Sequence, residues 1–93
     1  MKKNVLITGA SSGIGFAIAV KFAENGDNVF LVSKNNKRLS QAKKKIKNKY
    51  HNITCESFSC NFTNKDSSRK VFQAFSKKFN KIDVLINNVG GGS

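Results

Sequence analysis

Proline is absent from the 93 residues, histidine and tyrosine occur once each, cysteine occurs twice, and five carboxylates stand against seventeen lysines and arginines. Without proline, helices and strands run uninterrupted. No apolar run is long enough to span a bilayer, and none carries the cleavage pattern of a signal. The opening Met1-Lys2-Lys3-Asn4-Val5 leads straight into an apolar stretch, so a cytoplasmic location is expected. Cys55 and Cys60 have four residues between them on one strand-like run. That odd separation puts them on opposite faces, which argues against a disulfide within the strand, and neither has companion ligands for a metal. Both are expected to be reduced and half-buried.

Scarcity of acid leaves a net charge of +12. A surface that basic gathers polyanions without a specific site, and Lys43, Lys44, Lys45, Lys47 and Lys49 would supply it from a single helix. The chain lacks the usual companions of such a role: metal-ligand pairs, paired aromatics on a strand, or helix-turn-helix spacing. The lysines are therefore read as a solvated face, with no nucleic-acid partner. At 39% hydrophobic and 10% aromatic content the chain is ordinary for a globular protein. Its length allows one domain at most, with a core near the lower limit of independent stability.

The organising stretch is Val5-Leu6-Ile7-Thr8-Gly9-Ala10-Ser11-Ser12-Gly13-Ile14-Gly15. It reads as a buried strand and a tight turn, then a helix with Ile14, Ala17, Ile18 and Phe22 at helical spacing. Such a turn aims free backbone N–H groups and the positive end of the helix dipole at one point, where a phosphate or pyrophosphate fits. Gly9 would allow the sharp turn, Gly13 the approach of a phosphate, and Gly15 close packing of helix on strand.

The remaining elements follow in alternation. The first helix is expected from Gly13 to Asn25, with Gly26 as a left-handed cap. A second buried strand spans Asn28–Ser33. A basic helix then carries Leu39, Ala42, Ile46 and Tyr50 along one side. Ile53–Phe58 reads as a third strand nearer an edge. Thr63-Asn64-Lys65-Asp66 fits a capping box, opening a helix with an apolar stripe of Val71, Phe72, Phe75 and Phe79. Ile82–Ile86 is the fourth strand. The order implies an α/β fold: a Rossmann-like parallel sheet of about four strands, order 3-2-1-4, with three helices, a shortened form of the doubly wound pattern. A dinucleotide would cross the crevice between strands 1 and 4. At the end of strand 2, Ser33 stands where an acidic residue would bind ribose hydroxyls and repel a 2′-phosphate. With Lys34, Lys37 and Arg38 beside it, NADP is favoured over NAD.

The spacing Thr8-Gly9-x-x-x-Gly13-x-Gly15 resembles the glycine signature of the short-chain dehydrogenase/reductase family, and Asn87-Asn88-Val89-Gly90 resembles that family's Asn-Asn-Ala-Gly motif. The resemblance covers the whole chain and makes residues 1–93 a partial dinucleotide-binding domain. It implies that Gly9, Ser11, Ser12, Gly13, Ile14 and Gly15 hold the phosphates and adjoining ribose, and that Lys34 takes the place of an arginine frequent in NADP-preferring members. Ser33, Lys34 and Arg38 would meet the 2′-phosphate. Asn61, where the family commonly has aspartate, and Phe62 would meet the adenine. Asn87 and Gly90 would lie on the nicotinamide side. The parental reaction would be hydride transfer between a nicotinamide and a carbonyl or hydroxyl carbon.

The family's catalytic tyrosine, the lysine four residues after it, its serine and its relay asparagine all follow the Asn-Asn-Ala-Gly motif. Tyr50 is followed four positions later by Thr54 and lies on an apolar stripe, so it reads as core, with His51 at the helix exit. No catalytic residue is expected within these positions, and a carbonyl or alcohol substrate would engage only with the other half supplied. A fragment, a decayed gene product and a short protein retaining only nucleotide binding all remain open, as does the origin of Gly90–Ser93 as native loop or linker. The alternative function is a non-catalytic nucleotide-binding or interaction module. Strand 4 would present an apolar edge, with self-association through it expected.

Overall fold

In the computed structural model, which describes residues 2–61 and 65–88, the elements alternate: β1 (Asn4–Thr8), α1 (Gly13–Glu24), β2 (Asn28–Ser33), α2 (Asn36–Lys49), β3 (Cys55–Ser59), α3 (Ser67–Ser76) and β4 (Val84–Ile86). All strand pairings are parallel, in the order β3-β2-β1-β4. This is the expected Rossmann-like sheet.

The sheet divides its side chains strictly by face. Val5, Ile7, Val29, Leu31 and Cys55 point to the side of α1 and α2, where Ala19, Ala23, Leu39, Ala42 and Ile46 meet them. Leu6, Phe30 and Val32 point to the other side, against Val71, Phe75 and Phe79. Phe30 meets Phe75 edge-on, with ring centroids 5.3 Å apart, a geometry that adds to simple burial. Cys55 and Cys60 are free and pack toward opposite faces of the sheet, in accord with their odd separation.

Two helices depart in part from the faces their spacing suggested, although Ile18 and Phe22 of α1 pack half-buried against the core and Val71, Phe75 and Phe79 are buried as expected. The face of α1 that meets the sheet is Gly15, Ala19 and Ala23, whereas Ile14 is 72% exposed and Ala17 is also exposed. Small residues win because the helix lies so close that a Cβ on Gly15 would sit 2.0 Å from the Gly9 carbonyl oxygen. In α3, Val71 and Phe75 continue to Phe79 at four-residue intervals, and Phe72, one position round the helix, is 42% exposed. Helix α2 buries Leu39, Ala42 and Ile46 as expected, and the half-buried Tyr50 caps its C-terminus.

Boundaries shift where side chains replace ladder partners. Thr54 N–H donates to Asn28 Oδ1 at 2.8 Å, so β3 begins at Cys55 rather than Ile53. Asn4 N–H donates to Asp83 Oδ2 at 2.8 Å, and β4 begins at Val84 rather than Ile82. Asn28 Nδ2 donates in turn to Asn4 Oδ1 at 3.0 Å, so these four residues join all four strands at one end of the sheet. Helix α1 ends at Glu24, with Asn25 as C-cap and Gly26 at φ +91°. Helix α3 begins at Ser67 with Asp66 as N-cap and no side-chain cap bond; Thr63 and Asn64 of the expected capping box lie outside the described residues. Among those described, no helix is long and apolar enough to cross a membrane.

Candidate functional site

Because the strands are parallel, the turns leaving their C-terminal ends gather at one edge of the sheet. The turn after β1 sits at the centre of that edge and packs against the segment leaving β4. Gly9 has φ +60°, and a Cβ there would stand 1.9 Å from the Asn88 carbonyl oxygen. Asn88 Nδ2 donates to the Gly9 carbonyl at 3.4 Å. Thr8 Oγ1 donates to Asn87 Oδ1 at 3.0 Å and accepts from Asn88 N–H at 2.9 Å. Two stretches some eighty positions apart are thus keyed together by sterics and hydrogen bonds.

Gly13 is different. Its φ is also +60°, yet a Cβ there would meet nothing within 4 Å. The backbone at the mouth of α1 is therefore bare, and it faces open space. Ser12, the N-cap, makes no side-chain cap bond, and no acidic residue occupies the first turn of α1. The positive end of the helix is left without a built-in anion, the arrangement that receives a phosphate. Ile14 next to it projects into solvent instead of the core.

The expected site residues separate into groups. Gly9, Ser11, Ser12, Gly13, Ile14 and Gly15 form the turn and the start of α1. Ser33, at the end of β2, joins them through a 2.8 Å contact between its Oγ and Ser11 Oγ. Lys34 is exposed just beyond Ser33. Arg38, in the first turn of α2, lines a cavity of about 260 Å³ together with Ser11 and Ser12. Its backbone N–H donates to the α2 N-cap, Asn35 Oδ1, at 3.0 Å. Asn61 is exposed beyond β3, and its carbonyl accepts from Ser67 Oγ at 2.8 Å. Asn87 is held by Thr8. Phe62 and Gly90 lie outside the described residues.

Thr8, Asn88, Phe16, Gln41 and Lys45 take part in this region without having been assigned to the dinucleotide site from the sequence. Thr8 carried a signal, since it precedes Gly9 in the turn motif, and Asn88 stands inside the second motif. Nothing in the pattern of α2 sets Lys45 apart from its neighbouring lysines.

Comparison with known proteins decides the family. The family model for short chain dehydrogenase matches residues 3–93. The chain belongs to the short-chain dehydrogenase family. Among curated relatives of this dehydrogenase chain, the very-long-chain 3-oxooacyl-CoA reductase let-767 of Caenorhabditis briggsae is 41% identical over 87 residues, covering 91% of this chain and 27% of the relative. A probable 2,4-dienoyl-CoA reductase of Bacillus subtilis is 36% identical over 90 residues, covering 97% of this chain and 35% of the relative. The chain thus spans about a third or less of these relatives' length. Among solved structures, L-sorbose reductase of Gluconobacter frateurii, complexed with NADPH and L-sorbose, superposes with a TM-score of 0.92 at 34% identity. It covers 99% of this chain and 35% of that one. An NAD+-bound xylitol dehydrogenase superposes with a TM-score of 0.88 at 31% identity, covering 96% and 34%. The family thus includes structures with either dinucleotide.

Proposed function

We propose that residues 1–93 are the dinucleotide-binding part of a nicotinamide-dependent reductase, and that they hold NADP(H) in preference to NAD(H). The observation that carries this reading is Gly13: left-handed backbone, open space where a side chain would be, and an uncapped helix N-terminus behind it. A pyrophosphate placed there receives backbone N–H groups and meets no acidic side chain in the first turn. Gly9 and Gly15 shape the turn, and Ser11, Ser12 and Ile14 border it. Ser33, Lys34 and Arg38 receive the 2′-phosphate, while Asn61 and Phe62 contact the adenine. Asn87 and Gly90 serve the nicotinamide side. The NADPH complex of L-sorbose reductase supports this preference.

The reaction we assign to the whole protein is hydride transfer between the nicotinamide and a carbonyl or hydroxyl carbon. Tyr50, the one tyrosine, is half-buried at the C-cap of α2, and its buried hydroxyl finds no partner among the described residues. That placement supports a division of labour in which these residues bind the dinucleotide and the proton donor lies outside them. The test is a calorimetric titration of the chain with NADPH and NADH. Micromolar NADPH binding, weaker NADH binding and a selective loss of NADPH in Lys34→Glu or Arg38→Glu are expected. Binding of neither nucleotide by a folded chain overturns the reading.

A further inference from the structure

The cavity lined by Ser11 and Ser12 lies between α1 and α2. Its lining includes Phe16 of α1 and Arg38, Gln41 and Lys45 of α2. The three α2 residues stand at i, i+3 and i+7, which places them on one face of that helix. Lys45 Nζ lies 5.8 Å from the centroid of the Phe16 ring, an attraction that keeps an ammonium at the gap between the helices. Lys34 is not part of the lining.

With seventeen lysines and arginines against five carboxylates most cations have no acidic partner, so what distinguishes Arg38 and Lys45 is that they line one cavity together. Elsewhere Lys43 is bound to Glu56 at 3.2 Å, Lys21 to Glu24 at 3.7 Å, and Lys81 to Asp83 at 3.4 Å. Among the described residues no carboxylate pairs with Arg38 or Lys45. Neither α1 nor α2 has an acidic residue in its first turn. The gap therefore carries two uncompensated positive charges and the Ser12 hydroxyl. Ser11 in its lining contacts Ser33 Oγ at 2.8 Å, and Ser33 and Arg38 are residues given to the 2′-phosphate in the reading above.

We propose that Lys45 is a specificity-determining residue, which with Arg38 receives the 2′-phosphate of the adenine ribose while Phe16 positions its ammonium. The inference rests on the dinucleotide-binding reading and adds a residue on α2, eleven positions beyond Lys34. A charge-assisted contact to a dianionic phosphate is strong, and its loss is felt only by a ligand that carries that phosphate.

Calorimetry with 2′,5′-ADP and 5′-AMP separates the two levels. The unaltered chain is expected to prefer 2′,5′-ADP. Lys45→Gln should weaken 2′,5′-ADP about tenfold while 5′-AMP stays within about twofold, the loss of one charged hydrogen bond. Phe16→Leu should produce a smaller loss in the same direction. Lys44→Gln, a neighbouring exposed lysine outside the lining, should change neither. Equal losses at Lys44 and Lys45 overturn the proposal in favour of a diffuse basic field. An unchanged Lys45→Gln overturns the assignment while the dinucleotide reading stands. Binding of neither probe by the unaltered chain overturns both.

Discussion

The Thr8 hydroxyl donates to Asn87 Oδ1 at 3.0 Å, and Thr8 Oγ1 in turn accepts the Asn88 N–H at 2.9 Å. One side chain on β1, 4% exposed, therefore holds the segment that leaves β4 against the glycine turn. Thr8→Val keeps the shape and removes both bonds. It should cost about 1–2 kcal/mol, the worth of one or two such bonds with a partner left unpaired. Thr8→Ser retains the hydroxyl and should recover most of the loss. Urea denaturation of the three chains checks this, and equal stability of Val and Thr would remove the hydroxyl from the account.

The three glycines of the turn should fail in two ways when replaced by alanine. At Gly9 and Gly15 the new Cβ would lie 1.9 Å and 2.0 Å from backbone carbonyl oxygens, and neither oxygen can retreat without moving a strand end. Both variants should lose the cooperative thermal transition. At Gly13 the Cβ enters open space, so only the left-handed backbone is penalised, by about 1–2 kcal/mol. Gly13→Ala should fold and yet lose NADPH affinity more than about tenfold, because its methyl group occupies the approach to the backbone N–H groups. A folded Gly13→Ala with unchanged affinity would place the phosphate elsewhere.

Cys55 is buried on the α1–α2 side of the sheet, and burial pushes its thiol up to about 12, outweighing the opposing pull of Lys43. Since the thiolate is the reacting species, Cys55 should resist iodoacetamide at neutral pH for as long as the sheet is closed. Half-buried Cys60 should label first. Mass spectrometry of the time course should show one fast adduct, and a second whose rate rises with urea in step with global opening. Two adducts forming at the same rate would mean that β3 detaches on its own.

The parts of this fold written most plainly in the sequence are those set by steric rules local to the chain. Glycine spacing at positions 9, 13 and 15 defined the turn, and four apolar residues in a row marked β2 as buried on both faces. Which side of a helix meets the sheet is a different kind of quantity, because it depends on how near the helix comes. Ile14 advertises itself by size, and Phe22 does pack half-buried against the core, but the close approach at Gly15 leaves the fully buried positions to Ala19 and Ala23. Phe72 misled for a related reason: α3 has one sheet face to cover, and Val71, Phe75 and Phe79 already fill it. In the site, Gly13 was legible through its place in the spacing Thr8-Gly9-x-x-x-Gly13-x-Gly15. Lys45 was not, since its distinction lies in facing Phe16 across two helices.

Asp27, 2% exposed, ties the start of β1 to the α1–β2 turn. Its Oδ1 accepts from Lys3 N–H at 3.0 Å and its Oδ2 from Asn25 Nδ2 at 3.1 Å. Burial alone would raise its pKa. The Lys3 N–H, the Asn25 amide and the charge of Lys3 outweigh that and hold the carboxyl below the usual aspartate range. A folded-state value below the unfolded one, about 3.9, means that the stabilisation is fully present above the unfolded value. It is lost as pH falls through the folded value. Asp27→Asn leaves one backbone N–H or amide without its acceptor and should cost about 1–3 kcal/mol at neutral pH. The deficit relative to the unaltered chain should then shrink between about pH 5 and about pH 2. Asp83, whose carboxyl is likewise held low by the Asn4 N–H, titrates in both chains and cancels from the difference. Urea midpoints measured across that range test the point, and a deficit that stays constant into acid would mean that the Asp27 charge contributes nothing to folding.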